Sequence, residues 1–205
     1  MPKIALFDMD GTLFDYELQL RTDMAELASP PEDLTIIQTG DLWGLAERFP
    51  YIQRRMDLIK SQPGWWRELP KFQPGWKLLE LAQKIGFCPK ILTKGPRSKS
   101  RAWAEKVDCI THHLGEDIPI DIVGKDKNGT YGRVLVDDYP EYVEGWLANR
   151  PRGLAILPAQ PYNLQFKHPN AIIFHAESGE SNNLTQVTMQ AAYDRISSQH
   201  WKDLL

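Results

Sequence analysis

Short, continuous apolar runs recur along the chain at 3–8 (KIALFD), 88–93 (CPKILT), 120–124 (IDIVG), 133–138 (RVLVDD), 153–158 (GLAILP) and 170–175 (NAIIFH). Such Val/Ile/Leu-rich runs, apolar at successive positions, are what strands buried on both faces of a parallel sheet require. Between them the apolar period lengthens to that of a helix. Residues 74–86 (PGWKLLELAQKIG) start with Pro74 and end at Gly86, residues 98–107 (SKSRAWAEKV) follow, and 140–150 (PEYVEGWLANR) open on Pro140, which suits a first helical turn. These connections are long enough for right-handed crossovers. A closing helix is predicted over 182–201.

One segment breaks the alternation. From 16 to 69 there is no convincing strand, only helical stretches such as 16–28 and 51–60, joined by Pro- and Gly-containing turns such as ASPPED and SQPG. The pattern therefore predicts an α/β protein with a three-layer Rossmann-like core and a mostly parallel sheet, built from 1–15 and 70–205. A small helical cap, 16–69, is inserted directly after the first strand.

Composition narrows the partners. Lys and Arg number 24 against 27 Asp and Glu, for a formal charge of -3, so no global basic field favours duplex nucleic acid. No apolar run approaches the ~18 residues of a membrane span, and Asp8 and Asp10 interrupt the amino-terminal run too early for a signal peptide. The expectation is a cytoplasmic protein without a membrane partner. Two cysteines, Cys88 and Cys109, have no metal-ligand spacing and read as small core residues. His112 and His113 fall in an apparent loop and read as surface residues. Of the seven tryptophans, Trp43, Trp65, Trp66 and Trp76 crowd into one third of the chain; most tryptophans simply pack, yet such a cluster could also stack on a flat ligand. Trp76, Trp103, Trp146 and Trp201 lie in helical stretches and read as core. Trp65 and Trp66 are balanced between packing and substrate stacking.

The polar residues that end the runs carry the chemistry. In an open parallel sheet, ligands gather outside the carboxyl ends of the strands. The first run ends in Asp8 and Asp10, the second in Thr93 and Lys94, the third leads to Lys125 and Lys127, and the fourth ends in Asp137 and Asp138. Carboxylates this close resist desolvation unless a cation or a reaction uses them. Three carboxylates from two strands suit Mg²⁺, a hard cation that prefers oxygen ligands. The set fits phosphoryl transfer: Asp8 as nucleophile, Asp10 as acid and base, Thr93 and a lysine on the phosphoryl oxygens. Taken singly, DxDGT is an ordinary strand-to-turn junction, Thr93 a helix cap and GKDKNG a polar turn. Their order along the chain gives them weight.

In that order, DMDGT (8–12), Thr93, a following lysine and DD (137–138) resemble the four motifs of the haloacid dehalogenase superfamily of phosphohydrolases, over roughly the first two thirds of the chain. The resemblance implies a Rossmann-like core and Mg²⁺ as cofactor. It also implies Asp8 as nucleophile, Asp10 as general acid/base, and a metal held by Asp8, the Asp10 carbonyl and Asp137, with Asp138 orienting a neighbour. Within the superfamily, DMDGTLFDY, PGWWRELPKFQPGWKLLELAQK and KDKNGTYGRVLVDDYPEY look similar to the 5'(3')-deoxyribonucleotidases. On that pattern Lys127, ten residues before Asp137, is the better motif lysine and Lys125 the runner-up. Thr93 and Lys94 would then also bind phosphate. Tyr16 falls where that group places an aromatic against the base, and Trp43, Trp65 and Trp66 are pocket candidates by composition. Lys94 departs from the smaller, less charged residue expected there, an ammonium that would change phosphate placement or favour a more anionic substrate. The expectation is a Mg²⁺-dependent phosphomonoesterase acting on (deoxy)nucleoside monophosphates. A phosphatase for sugar phosphates or nucleic-acid 3'-phosphates, and an inactive phosphate-binding protein, remain as alternatives. Oligomeric state stays open, a homodimer being one option.

Overall fold

The structure is a computed structural model and describes residues 3–29, 32–96, 99–175 and 194. All six predicted runs are strands: β1 (Ile4–Phe7), β2 (Cys88–Lys94), β3 (Ile120–Val123), β4 (Val134–Val136), β5 (Leu154–Pro158) and β6 (Ala171–Phe174). They form one sheet in the order β3-β2-β1-β4-β5-β6, with every neighbouring pair parallel. The expected helix over 182–201 and Trp201 lie outside the described residues.

Alternation along β1 explains the layers. Ala5 and Phe7 point to a cluster that includes Trp76, Leu78 and Leu79 of α5 (Gln73–Lys84) and Cys109 and Ile110 of α6 (Ser100–Leu114). Leu6, between them, points to the other face, where Leu92, Leu135 and Leu157 pack on Val143, Trp146 and Leu147 of α7 (Pro140–Asn149). Helices on both faces make the three layers, held by apolar burial at ~25 cal/mol per Å².

Four helices occupy the segment between β1 and α5: α1 (Tyr16–Glu26), α2 (Leu34–Thr39), α3 (Leu42–Arg48) and α4 (Pro50–Ile59). Their starts are written locally. The Asp15, Asp33 and Asp41 side chains accept from Leu18, Thr35 and Gly44 amides as N-caps, and Pro50 opens α4. Entry and exit of the segment run side by side: the Asp15 amide donates to the Pro70 carbonyl at 2.8 Å, and the Phe72 amide to the Leu13 carbonyl at 2.8 Å.

Two expectations are corrected. His112 and His113 belong to the last turn of α6, not a loop, because the apolar stripe of that helix continues through Ile110. His113 packs on the Phe14 and Trp76 rings. Cys88 is exposed at the first residue of β2, and only Cys109 is buried. No helix among the described residues is long and apolar enough to cross a membrane.

Candidate active site

Strand order reverses between β1 and β4, which opens a crevice beyond their carboxyl ends. The residues that follow these two strands directly are Asp8 and Asp137. The Asp8 amide donates to the Val136 carbonyl at 2.9 Å, so ladder pairing itself brings the two motifs together. After Asp8 the chain turns back tightly, with the Leu13 and Phe14 amides both donating to the Met9 carbonyl. Gly11 makes this turn possible twice over. Its φ is +74°, and a Cβ there would come within 2.5 Å of an Asp138 carboxylate oxygen.

One oxygen from each of Asp8, Asp137 and Asp138 falls within 4.8 Å of the others, and all three residues are buried. Lys127, fully buried, faces two of them. Its ammonium donates to Asp137 Oδ2 at 2.6 Å and lies 2.8 Å from Asp8 Oδ1. That second approach is an ion pair, and Asp8 Oδ1 accepts no hydrogen bond from the described residues. Lys125, the runner-up, is exposed. Burial pulls the Lys127 ammonium towards neutrality, but the Asp137 and Asp8 carboxylates outweigh it and hold the lysine above its ordinary range.

Asp138 is held differently. Thr12 Oγ1 donates to its Oδ1 at 2.9 Å, and the Tyr162 hydroxyl donates to Oδ2. The Asn163 amide group donates to the Asp138 carbonyl at 2.8 Å, and Gln160 Nε2 to the Gly11 carbonyl at 3.1 Å. One stretch after β5 thus fastens both motif turns. Burial, with Asp137 and Asp8 repulsion added, pushes the Asp138 carboxyl up to about 8. For Asp137 burial again dominates, and the value rises to about 6.

Asp10 points away from this trio, towards a residue that the sequence reading missed. Lys106, in α6 and 1 % exposed, donates to Asp10 Oδ2, to Thr93 Oγ1 at 3.1 Å and to the Lys94 carbonyl at 2.9 Å. A quarter of the Asp10 side chain still faces the mouth of the site, yet its Oδ1 is buried and accepts no hydrogen bond from the described residues. Burial raises its pKa above the ordinary carboxylate value, against the pull of Lys106. Lys94, though next to Thr93, does not join the carboxylates: its ammonium donates to the Tyr142 hydroxyl at 2.9 Å.

The four aromatic candidates come together beside Asp10. The Tyr16 ring lies parallel to Trp43 (6.2 Å, 3°), near-parallel to Trp66 (5.6 Å) and edge-on to Trp65. Burial, with the Asp10 charge added, holds the Tyr16 phenol above its ordinary pKa. Trp65 and Trp66 are buried, their indole N–H groups committed to Asp23 Oδ2 (2.6 Å) and the Lys60 carbonyl (3.0 Å). The Trp66 ring covers Lys106, with the ammonium 4.7 Å from its centre. Trp43 alone of the four is exposed, at 40 %.

The donor set fits a hard divalent cation. Three buried carboxylates share the site with a single buried ammonium, which pairs with two of them, and burial first, with the charge of the neighbouring carboxylates added, raises Asp137 and Asp138. The oxygens are the right type and converge from two adjacent strand ends. Asp10 contributes no carboxylate to the trio, so any share it takes in holding metal falls to its backbone.

No protein-family model matches the chain, and no curated protein matches it. Solved structures do resemble it. A haloacid dehalogenase-like family hydrolase from Xanthomonas campestris is 14 % identical, with a TM-score of 0.53 over 98 % of each chain. A HAD family hydrolase from Deinococcus radiodurans, with bound phosphate and sodium, is 17 % identical, with a TM-score of 0.54 over 95 % of this chain and 96 % of that one. The HAD-type protein YfnB from Bacillus subtilis, bound to magnesium, is 13 % identical, with a TM-score of 0.52 over 85 % of this chain and 93 % of that one. The chain therefore has the Rossmann-like α/β fold of haloacid dehalogenase-like hydrolases.

Proposed function

We propose that the chain is a hydrolase of the haloacid dehalogenase type that cleaves phosphomonoesters through an aspartyl-phosphate on Asp8, with (deoxy)nucleoside monophosphates as substrates. The observation that carries this reading is the separation of two acids from one turn. Asp8 faces Lys127 and Asp137, whereas Asp10 faces Lys106 and Thr93. Acids in different surroundings can take different roles.

Asp8 is held beside the Lys127 ammonium, which offsets charge on a phosphoryl group brought to it. Mg²⁺, held by Asp8 and Asp137 with the Asp10 carbonyl, would supply the remaining charge neutralisation and align the phosphate. An Asp8 oxygen attacks phosphorus, the ester P–O bond breaks, and Asp10 gives its proton to the leaving alkoxide. The raised pKa of Asp10 suits that acid role. Asp10, now a carboxylate kept in place by Lys106, takes a proton from water as that water attacks the phosphorus. The P–O bond to Asp8 breaks and phosphate leaves. Thr93 Oγ1, already turned towards this spot by Lys106, is the hydroxyl available to a phosphoryl oxygen.

The segment 16–69 serves as a cap over the site. Its entry and exit, paired by backbone hydrogen bonds at Asp15 and Pro70, form a narrow stem on which it is able to tilt, and its aromatic cluster abuts Asp10. Exposed Trp43 is the ring positioned to take a base, while Tyr16, Trp65 and Trp66 shape the wall.

Phosphate release from ribo- and deoxynucleoside monophosphates, sugar phosphates and a 3'-phosphorylated oligonucleotide, with Mg²⁺ or EDTA and beside Asp8→Asn, tests this reading. Metal-dependent release confined to mononucleotides and abolished in the variant is expected. Release only from the other esters would replace the substrate class and keep the mechanism. No release from any of them would leave a phosphate-binding protein.

A further inference from the structure

Lys94 is set up for a ligand that the catalytic trio does not account for. It stands at the carboxyl end of β2, exposed, and no carboxylate among the described residues lies within ion-pair distance of its ammonium. What holds it is Tyr142, on α7. The Lys94 ammonium donates to the Tyr142 hydroxyl oxygen at 2.9 Å and lies 5.4 Å from the ring centre. The Lys127 ammonium, which serves Asp8 and Asp137, lies 4.9 Å from the same ring centre. One tyrosine ring therefore stands between an inner cation at the carboxylates and an outer cation at the rim.

The hydrogen bond has a direction with a consequence. Because Lys94 uses the phenol oxygen as acceptor, and the Tyr142 hydroxyl donates to no side chain or carbonyl among the described residues, its O–H is available to donate beside the ammonium. Tyr139, 41 % exposed with its ring 5.0 Å from that of Tyr142, and Tyr162, 43 % exposed with its ring 6.4 Å from that of Tyr139, continue the rim towards Asp138. The result is an ammonium and a phenol donor side by side, fixed on the core and not on the helical segment.

The geometry points to a second anion subsite: Lys94 with Tyr142 binds a negatively charged group, a second phosphate or a carboxylate, carried on the leaving group of the phosphomonoester. The inference rests on the phosphomonoesterase reading and adds to it a preference, among such esters, for those that carry a second, separated anionic group. Charge-assisted donation of this kind amounts to about tenfold in affinity.

The test compares one nucleoside as its 5'-monophosphate and as its 3',5'-bisphosphate, in the native chain, Lys94→Met and Lys94→Arg. In the native chain kcat/KM should favour the bisphosphate by about tenfold, chiefly through KM. Lys94→Met should bring the ratio near one, and Lys94→Arg, which keeps the charge, should preserve most of it. A ratio near one in the native chain, or a ratio that Lys94→Met leaves unchanged, would overturn the subsite. Calorimetric binding of the same two ligands to Asp8→Asn with Mg²⁺ separates the two proposals. A bisphosphate preference there with no turnover by the native chain would sink the hydrolase reading and leave the subsite standing, whereas turnover without that preference would do the reverse.

Discussion

The carboxyl end of the sheet and the helical segment beside it place their residues against opposite backgrounds. At the sheet, charged groups are buried: Asp8, Asp137, Asp138, Lys106 and Lys127 are all at most 6 % exposed. In the helical segment, apolar groups are exposed: Leu34, Ile36, Trp43, Phe49, Tyr51 and Leu58 all stand out to solvent. Burying charge is costly unless every group is matched, so the sheet end is stable only as a set. Exposing scattered apolar side chains costs little and leaves the helices free to vary. The geometry of the sheet end is thus over-determined, and that of the helical segment is not.

The sharpest way to break the contrast is to remove one member of the buried set. Lys127→Met leaves Asp8 and Asp137 facing each other without their ammonium, a change of the class that costs about 3–5 kcal/mol. Without metal the variant should be unfolded or close to it by thermal melting. With Mg²⁺ it should regain structure while hydrolysing at least about 10³-fold more slowly. A variant as stable and active as the native chain would mean that Lys127 is not the cation of the site.

Lys106→Met probes the other acid. Asp10 loses its partner and Thr93 its orientation, so kcat should fall by about 10²-fold while KM moves much less. Asp10 is held by burial, which raises its pKa, against Lys106, which lowers it. Removing the lysine should therefore move the limb of the pH–rate profile that Asp10 controls, alkaline where it acts as acid and acidic where it acts as base, to higher pH. A downward shift, or an unchanged profile, would place the lysine outside the acid/base step.

The same residue marks the limit of what the sequence made legible. Asp8, Asp10, Thr93 and Asp137 were readable because each follows an apolar run, and in a parallel sheet the ends of such runs meet. Lys127 is preferred to Lys125 only through the resemblance, on whose pattern it falls ten residues before Asp137. Lys106 lay in view as a misplaced charge: the buried positions of α6 are Ala102, Glu105, Lys106, Cys109 and Ile110, an apolar helical stripe with two charged members. Glu105 uses its position to accept from the Gly64 amide at 2.8 Å and the Trp66 amide at 3.3 Å. Tyr162 and Asn163 gave no such signal. They lie in a connection without periodicity, and their roles exist only once β5 stands beside β4.

Protonation of the trio offers a measurement without substrate. Asp137 and Asp138 have folded pKa values near 6 and 8, raised first by burial, against an ordinary value of 3.8. A carboxyl raised on folding stabilises the fold at low pH, and that contribution is lost as pH climbs through the folded value. In EDTA the melting temperature should fall between about pH 4 and pH 8 through these two groups, and Mg²⁺ should flatten the decline by replacing the protons. A melting temperature that rises through this window, or one that Mg²⁺ leaves untouched, would dissociate the trio from metal.

The smallest effect is expected in the helical segment, from Trp43→Ala. Its ring is parallel to Tyr16 at 6.2 Å but still 40 % exposed, so truncation opens no cavity and should change the melting temperature little. If this ring takes the base, KM for a nucleoside monophosphate should rise about fivefold, the lower end of what one stacked ring contributes, while kcat changes less. A sugar phosphate, with no base to stack, supplies the internal control and should show no such rise. Equal rises for both substrates would assign Trp43 to cap closure, because a looser cap weakens every substrate alike, and the exposed face of the segment would then owe its apolar character to something other than the base.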